Sequence, residues 1–243
     1  MSYLKIKQEL LSLQNPKQAA ILSRFFKTGP GQYGAGDRFL GIRVPQTRAI
    51  VKKYQPVSLI DIQKLLNNNY HEIRLTGVLL LVAQYQAGQF KEQTKIYNLY
   101  LKNTKAINNW DLVDLSAPNI VGHYLYNYFF IQNKQKEVIC RLKKMASAKN
   151  IWLRRIAVVS TFYFIRQGRY QEIFFLTKML KNDKQDLIHK ALGWMLREVG
   201  KKIDKAVLKK FLQENITKLP RTTLRYAIEH FPKEKRLYFL HLK

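Results

Sequence analysis

Apolar residues recur along the chain at steps of three and four, the spacing of helices with one buried face. Over residues 2–14 they are Leu4, Ile6, Leu10, Leu11 and Leu13, and Asn15-Pro16 interrupts the pattern. A second helix, over 16–27, carries Ala19, Ala20, Leu22, Phe25 and Phe26. Phe25 fits either the core or a surface contact. After a glycine-rich stretch, Pro45 stands where the first turn of another helix tolerates a proline. From Ser58 onward the periodicity predicts helix after helix: 58–67, 70–86, 89–103, 108–117, 118–132, 135–147, 150–167, 170–181, 185–200, 203–214, 220–230 and 232–241. Short β-branched runs such as Ile156-Ala157-Val158-Val159 sit inside longer helical patterns, so no strand is expected.

Similar openings recur at Tyr70-His71-Glu72-Ile73-Arg74, Asn109-Trp110-Asp111, Asn150-Ile151-Trp152-Leu153-Arg154-Arg155 and Gln185-Asp186-Leu187-Ile188-His189-Lys190. A separation of about 40 residues, with two helices per unit, is the period of HEAT or armadillo arrays. The expected fold is therefore all-α: one domain over 1–243, a curved solenoid of HEAT-like antiparallel helical repeats with a basic concave face. Such a face takes extended ligands. On this register successive units present Trp110, Asp114, Arg155 and Trp194.

Charge narrows the ligand. Lys and Arg number 43 against 16 for Asp and Glu, a formal net charge of +27. The cations are spread along the chain, so they form a shaped basic surface rather than an arm. An excess of this size calls for a polyanion: nucleic acid, the ribosome or an anionic membrane surface. The chain is 47% hydrophobic, enough for a real core, and no run of 18 apolar residues suggests a membrane span. The first residues do not read as a signal peptide. The lone cysteine, Cys140, has the spacing of a buried helix position and fits a reducing cytosol.

Candidate chemistry gathers in Asn108-Asn109-Trp110-Asp111-Leu112-Val113-Asp114. In a helix Asp111 and Asp114 are neighbours, and Trp110 shares a face with Asp114. An indole beside a carboxylate suits a cationic substrate carried on a polyanion. The competing reading makes Asn108 or Asn109 an N-cap, Asp111 a first-turn acid and Trp110 a core residue. Lys190, Trp194 and Arg197, spaced four and three, form a cation–indole–cation stripe suited to a DNA backbone, or else a packed indole with solvated flanks. At most one of Arg154 and Arg155 is expected to face the ligand. Arg43 and Arg48 flank the helix start at Pro45, where a phosphate would fit. The glycine-rich segment from Gly29 to Asp37 is not a phosphate loop, because no strand precedes it and no Gly-Lys-Ser/Thr ending follows. It reads as a mobile surface loop carrying an exposed Tyr33. The five histidines show no metal-ligand spacing, and no nucleophilic triad or nucleotide fingerprint appears.

Four segments in order, Phe39-Leu40-Gly41-Ile42-Arg43-Val44-Pro45, Asn109-Trp110-Asp111-Leu112-Val113-Asp114, Trp152-Leu153-Arg154-Arg155 and Lys190-Ala191-Leu192-Gly193-Trp194-Met195-Leu196-Arg197-Glu198, resemble the HEAT-like-repeat DNA alkylation repair glycosylases over nearly the whole chain. The resemblance implies a monofunctional DNA glycosylase of base excision repair. It would remove positively charged N3- and N7-alkylated purines from double-stranded DNA, without metal, cofactor or flipping of the damaged base. Asp114 matches the catalytic acid, and Trp110 and Trp194 match the indoles that pack on the lesion's deoxyribose. Arg155 matches a contact to the lesion-strand backbone. Arg197 and Arg48 fall at positions associated with backbone binding, and Lys190 and Arg43 are assigned to DNA with them. Phe25 stands where a relative has tyrosine, keeping the ring and lacking the hydroxyl. The expected protein is a cytoplasmic monomer with no membrane contact and no obligate protein partner. The alternatives are a non-catalytic HEAT-repeat binder of damaged or branched DNA, and a scaffold for a protein or RNA partner.

Overall fold

The hydrophobic stripes close into helices where the periodicity places them. The computed structural model describes residues 2–242. Its first helices are α1 (Ser2–Ser12), α2 (Pro16–Phe25), α3 (Val44–Tyr54), α4 (Leu59–Leu66), α5 (His71–Ala87), α6 (Phe90–Lys102) and α7 (Trp110–Ala117). There follow α8 (His123–Leu125), α9 (Gln135–Ala146), α10 (Ile151–Arg166), α11 (Gln171–Leu180), α12 (Asp186–Lys202), α13 (Lys205–Asn215), α14 (Arg221–Ala227) and α15 (Lys233–His241). Among the described residues no strand forms; Arg38 and Tyr70 make an isolated parallel bridge. The segment expected as a plain helix over 118–132 is helical but wound wide. Pro118–Gly122 and Tyr126–Phe130 are π-helical turns on either side of α8. Gly122 lies so close to the Ser160 carbonyl of α10 that a side chain there would clash. The tight approach and the widened turns occur together, as π turns often do where packing is specialised.

The Cα trace divides into two units, Met1–Ser116 and Ala117–Lys243. In the first, α5 is the hub. It is buried from His71 through Leu81, and α3, α4 and α6 pack around it, with α1 against α3 and α4. A helix enclosed on all sides carries no polar face, and the polar residues at its start are tied down individually. The Glu72 carboxylate accepts backbone N–H bonds from Leu40, Gly41 and Ile42. This pins the extended segment whose Phe39, Leu40 and Ile42 enter the core.

In the second unit α10, α12 and α14 pack in sequence as one row, with α9, α11 and α13 behind them. This alternation is the local arrangement of stacked helical pairs. The openings at Asn150 and Gln185 lie directly before α10 and α12 of this row, and those at Tyr70 and Asn109 lie before α5 and α7. The fourth residue of α5 and of α10 is an arginine doing the same work. Arg74 donates to the Asn68 carbonyl behind it and the Ala106 carbonyl of the next loop. Arg154 donates to the Ala148 carbonyl behind it and to Asp183 of the next loop. Arg155, the next residue, is itself buried and donates to the Leu187 carbonyl of α12, so both arginines of the pair carry structural bonds.

Two expectations are corrected. Cys140 is exposed on α9, because the buried stripe of that helix runs Val138, Leu142, Met145 and Cys140 lies off it. Tyr33 is half-buried rather than exposed, and the loop bearing it is anchored through Asp37, whose side chain is buried against His71 and Arg74. No helix among the described residues is long and apolar enough to cross a membrane.

Candidate active site and nucleic-acid interface

The start of α7 is held by its own side chains. The Trp110 N–H donates to Asn109 Oδ1 at 2.9 Å, and the Leu112 N–H donates to Asp111 Oδ1 at 2.9 Å. Asn109 is fully buried. Asp111 is therefore a first-turn acid, and it has a second duty: its Oδ2 lies 2.8 Å from His71 Nε2. On the other side of the ring, His71 Nδ1 lies 3.1 Å from Asp37 Oδ2. Arg74 pairs with the remaining Asp37 oxygen.

These groups shift one another. Burial alone would lower the His71 pKa. The charge and hydrogen bond of Asp111, then those of Asp37, outweigh burial and raise it to about 9. Burial alone would raise the Asp37 carboxyl, but the hydrogen bond to His71 and the charge of Arg74 hold it below the ordinary carboxylate range.

Above this charged floor rises a stack of rings. Phe39 lies on His71 at 4.6 Å between centroids, and Phe26 lies on Phe39 at 5.1 Å. Trp110 stacks on Phe26 at 5.2 Å and meets the edge of Phe25 at 5.9 Å. Phe25 is 61% exposed, so it is a surface contact and not core. The indole of Trp110 is half-buried, between the core and surface alternatives. Trp110, Asp111 and Asp114 line one cavity of about 520 Å³ with Phe25, Phe26 and Arg43. Asp114 is half-buried there. Arg43 is exposed at the start of α3, where its N–H donates to the Gln46 side chain at 3.0 Å, and Arg48 is exposed one turn on.

The other site residues lie in the second unit. Trp194 is half-buried on α12, 5.9 Å from Phe162, which carries the Arg166 guanidinium over its face at 4.3 Å. Lys190 pairs with Asp186 at 2.9 Å. Arg197 pairs with Glu229 and lies 3.4 Å from Glu198. Lys190 and Arg197 line a cavity of about 650 Å³ together with Arg225 and Arg236. Arg155 is buried and donates to the Leu187 carbonyl at 2.6 Å. Trp152 is buried beside it on α10 and belongs to the core.

The structure thus brings Trp110, Asp114, Phe25 and Arg43 to one cavity, and Lys190 and Arg197 to another. Asp37, Phe26, His71 and Glu72 stand in segments that the sequence reading named but did not assign to the site. A signal for them existed: His71-Glu72-Ile73-Arg74 opens a helix that is otherwise apolar, so its polar residues had to be buried and paired. Arg225 was also missed, although its place is legible in the repeat. The fifth residues of α5, α7, α10, α12 and α14 read Leu75, Asp114, Arg155, Lys190 and Arg225.

Comparison with known proteins agrees with this architecture. The family profile described as DNA alkylation repair enzyme matches residues 6–231. A solved structure described as a predicted DNA alkylation repair enzyme from Enterococcus faecalis superposes with a TM-score of 0.66 at 17% identity, covering 90% of this chain and 97% of the other. At that identity the likeness speaks for the fold. No curated protein matches the chain.

Proposed function

The chain belongs to the DNA alkylation repair enzyme family, and from that premise we propose that it is a DNA glycosylase hydrolysing the N-glycosidic bond of positively charged N3- and N7-alkylated purines in duplex DNA. One observation carries the reading: an indole and a carboxylate, Trp110 and Asp114, line a single ring-walled cavity in a chain of net charge +27.

An alkylated purine carries a positive charge and is already a good leaving group. As its bond to the sugar breaks, the electron pair moves onto the base, which departs neutral, and positive charge grows on the deoxyribose. The Asp114 carboxylate stabilises that charge and orients a water for attack on C1′. The attacking water gives up its proton to that carboxylate or to solvent, leaving an abasic sugar. No strong general acid is needed, because no proton has to reach the base. The Trp110 face adds cation–π attraction to the same charge, and Trp194 takes the second indole role that the family resemblance implies. Lys190, Arg197, Arg43 and Arg48 are assigned to the phosphate backbone, with Phe25 beside the lesion; Arg155, buried against the Leu187 carbonyl, would have to leave that bond to join them. Base extrusion, the usual glycosylase strategy, is not part of the reading. A monomer on one duplex is the proposed working form.

The test is release of 7-methylguanine and 3-methyladenine from methylated duplex DNA by the native protein and by Asp114→Asn. Release by the native protein and a loss of roughly 100-fold or more in the variant, with DNA affinity kept, is the expected result. Equal release by both removes Asp114 from the chemistry. No release by either, with tight binding, makes the protein a non-catalytic binder of damaged or branched DNA.

A further inference from the structure

His71 touches every layer of the cavity's support and has no part in the chemistry above. Its side chain is 2% exposed. Each ring nitrogen faces a carboxylate oxygen, Asp37 at 3.1 Å and Asp111 at 2.8 Å. Ionised carboxylates only accept hydrogen bonds, so both nitrogens must donate, and the ring that satisfies both is the imidazolium. Arg74 beside Asp37 keeps that carboxylate ionised. The ring faces add to this: Phe39 stacks at 4.6 Å and Phe26 lies at 5.1 Å, both able to hold a cation.

Two routes lead from this ring to the indole. Asp111 follows Trp110 directly in α7, and Phe26 carries Trp110 on its ring at 5.2 Å. Asp114 lies one turn further along the same helix.

We propose that His71 is a positioning residue of the repair site: as an imidazolium clamped between Asp37 and Asp111, it ties the end of the glycine-rich loop to the start of α7 and so sets the poses of Trp110 and Asp114. Its kinetic consequences rest on the glycosylase reading; its structural consequences do not. Once the proton is lost, one carboxylate faces a ring lone pair and the clamp opens on that side. The other charges around it do not replace it. On α5, Glu72 is committed to the backbone of 40–42 and Arg74 to Asp37. Asp114 on α7 adds negative charge, and Arg43 at the start of α3 shares the cavity. The ring titrates at about 9, so the clamp is closed at neutral pH and opens in the alkaline range.

The experiment labels all three tryptophans with 5-fluorotryptophan and follows their ¹⁹F resonances from pH 7 to 10.5. In parallel, single-turnover release of 7-methylguanine is measured over the same range. The Trp110 resonance is expected to move with a midpoint near pH 9, while Trp152 and Trp194 serve as internal controls. The release rate constant should fall with the same midpoint, with DNA affinity unchanged. His71→Gln should cut the rate at neutral pH by at least tenfold and abolish both inflections. Asp111→Asn, which keeps the shape of the partner and leaves the ring paired with Asp37, should move both inflections to lower pH and guards against misfolding of the first variant. A Trp110 resonance flat across this range, or native rate and pH profile in His71→Gln, overturns the proposal. If the native protein releases no base at any pH, the glycosylase reading fails, and the resonance titration alone decides the role of His71.

Discussion

Replacing Glu72 by alanine is the sharpest test of how the site is supported. The residue is 1% exposed, and its carboxylate accepts from Leu40 at 2.9 Å, Gly41 at 2.8 Å and Ile42 at 3.2 Å. Hydrogen bonds to a charged group contribute about 1.5–3 kcal/mol each, and a buried donor left unpaired costs about 1–3 kcal/mol. Three orphaned N–H groups would sum to more, but water entering the vacated space recovers part of the loss. The expected destabilisation of Glu72→Ala is about 4 kcal/mol, within the range for breaking a buried charged network. Glu72→Gln keeps one oxygen for Gly41 and Ile42 and turns an NH₂ toward the Leu40 N–H, so about 2 kcal/mol is expected. Urea unfolding measures both, and amide exchange at residues 40–42 localises the effect. A loss below about 1 kcal/mol in Glu72→Ala, or equal losses in the two variants, would refute this account of the segment.

Other predictions are briefer. His71 has a folded pKa of about 9 against an ordinary 6.5, so its contribution is whole below pH 6.5 and is lost as pH rises through 9. Thermal or urea unfolding should show stability falling across that window by up to about 3 kcal/mol. Gly193→Ala places a Cβ 2.5 Å from the Tyr226 Cβ and 2.6 Å from the Thr223 carbonyl, forcing α12 and α14 apart; a loss of about 2 kcal/mol is expected in unfolding titrations. Lys190→Ala should reduce the slope of log affinity against log salt by about 1, read from DNA binding across a salt series. Glu229→Gln releases Arg197 from its ion pair and should tighten DNA binding in the same assay.

Much of this was legible in the sequence, for local reasons. Helix starts follow from caps and prolines that act within a few residues: Pro16 and Pro45 in first turns, and Asn150 accepting the Trp152 N–H at 2.8 Å. The Trp110–Asp114 pairing in one cavity follows from a spacing of four. The π turns near Pro118 were not legible, because Gly122 approaches α10 only in the folded chain. Nor was the His71 clamp, whose partners lie 34 and 40 residues away in sequence. Cys140 shows the limit of periodicity read by eye, since a stripe through Val138, Leu142 and Met145 leaves it on the opposite side of α9.

On the proposed reading a strongly basic chain hosts a site for a cation, and the placement of its few acids bears on that. With 16 acids against 43 cations, the chain as a whole attracts polyanions and disfavours an isolated cation. Several acids are already committed elsewhere: Asp183 to Arg154, Glu172 to Arg169, Asp186 to Lys190, and Glu229 to Arg197. The cavity under Trp110 nevertheless gathers Glu72, Asp111 and Asp114 along its wall, facing His71 and Arg43. Left unpaired, the charge of Asp111 would add to that of Asp114 one turn away on α7. The imidazolium of His71 cancels it, and three backbone donors satisfy Glu72. On the glycosylase reading, Asp114 one turn along α7 is the carboxylate proposed to meet charge developing on the sugar. The pairing of Asp111 with His71 thereby ties the start of the helix that carries Asp114 to the protonation of a buried histidine on α5.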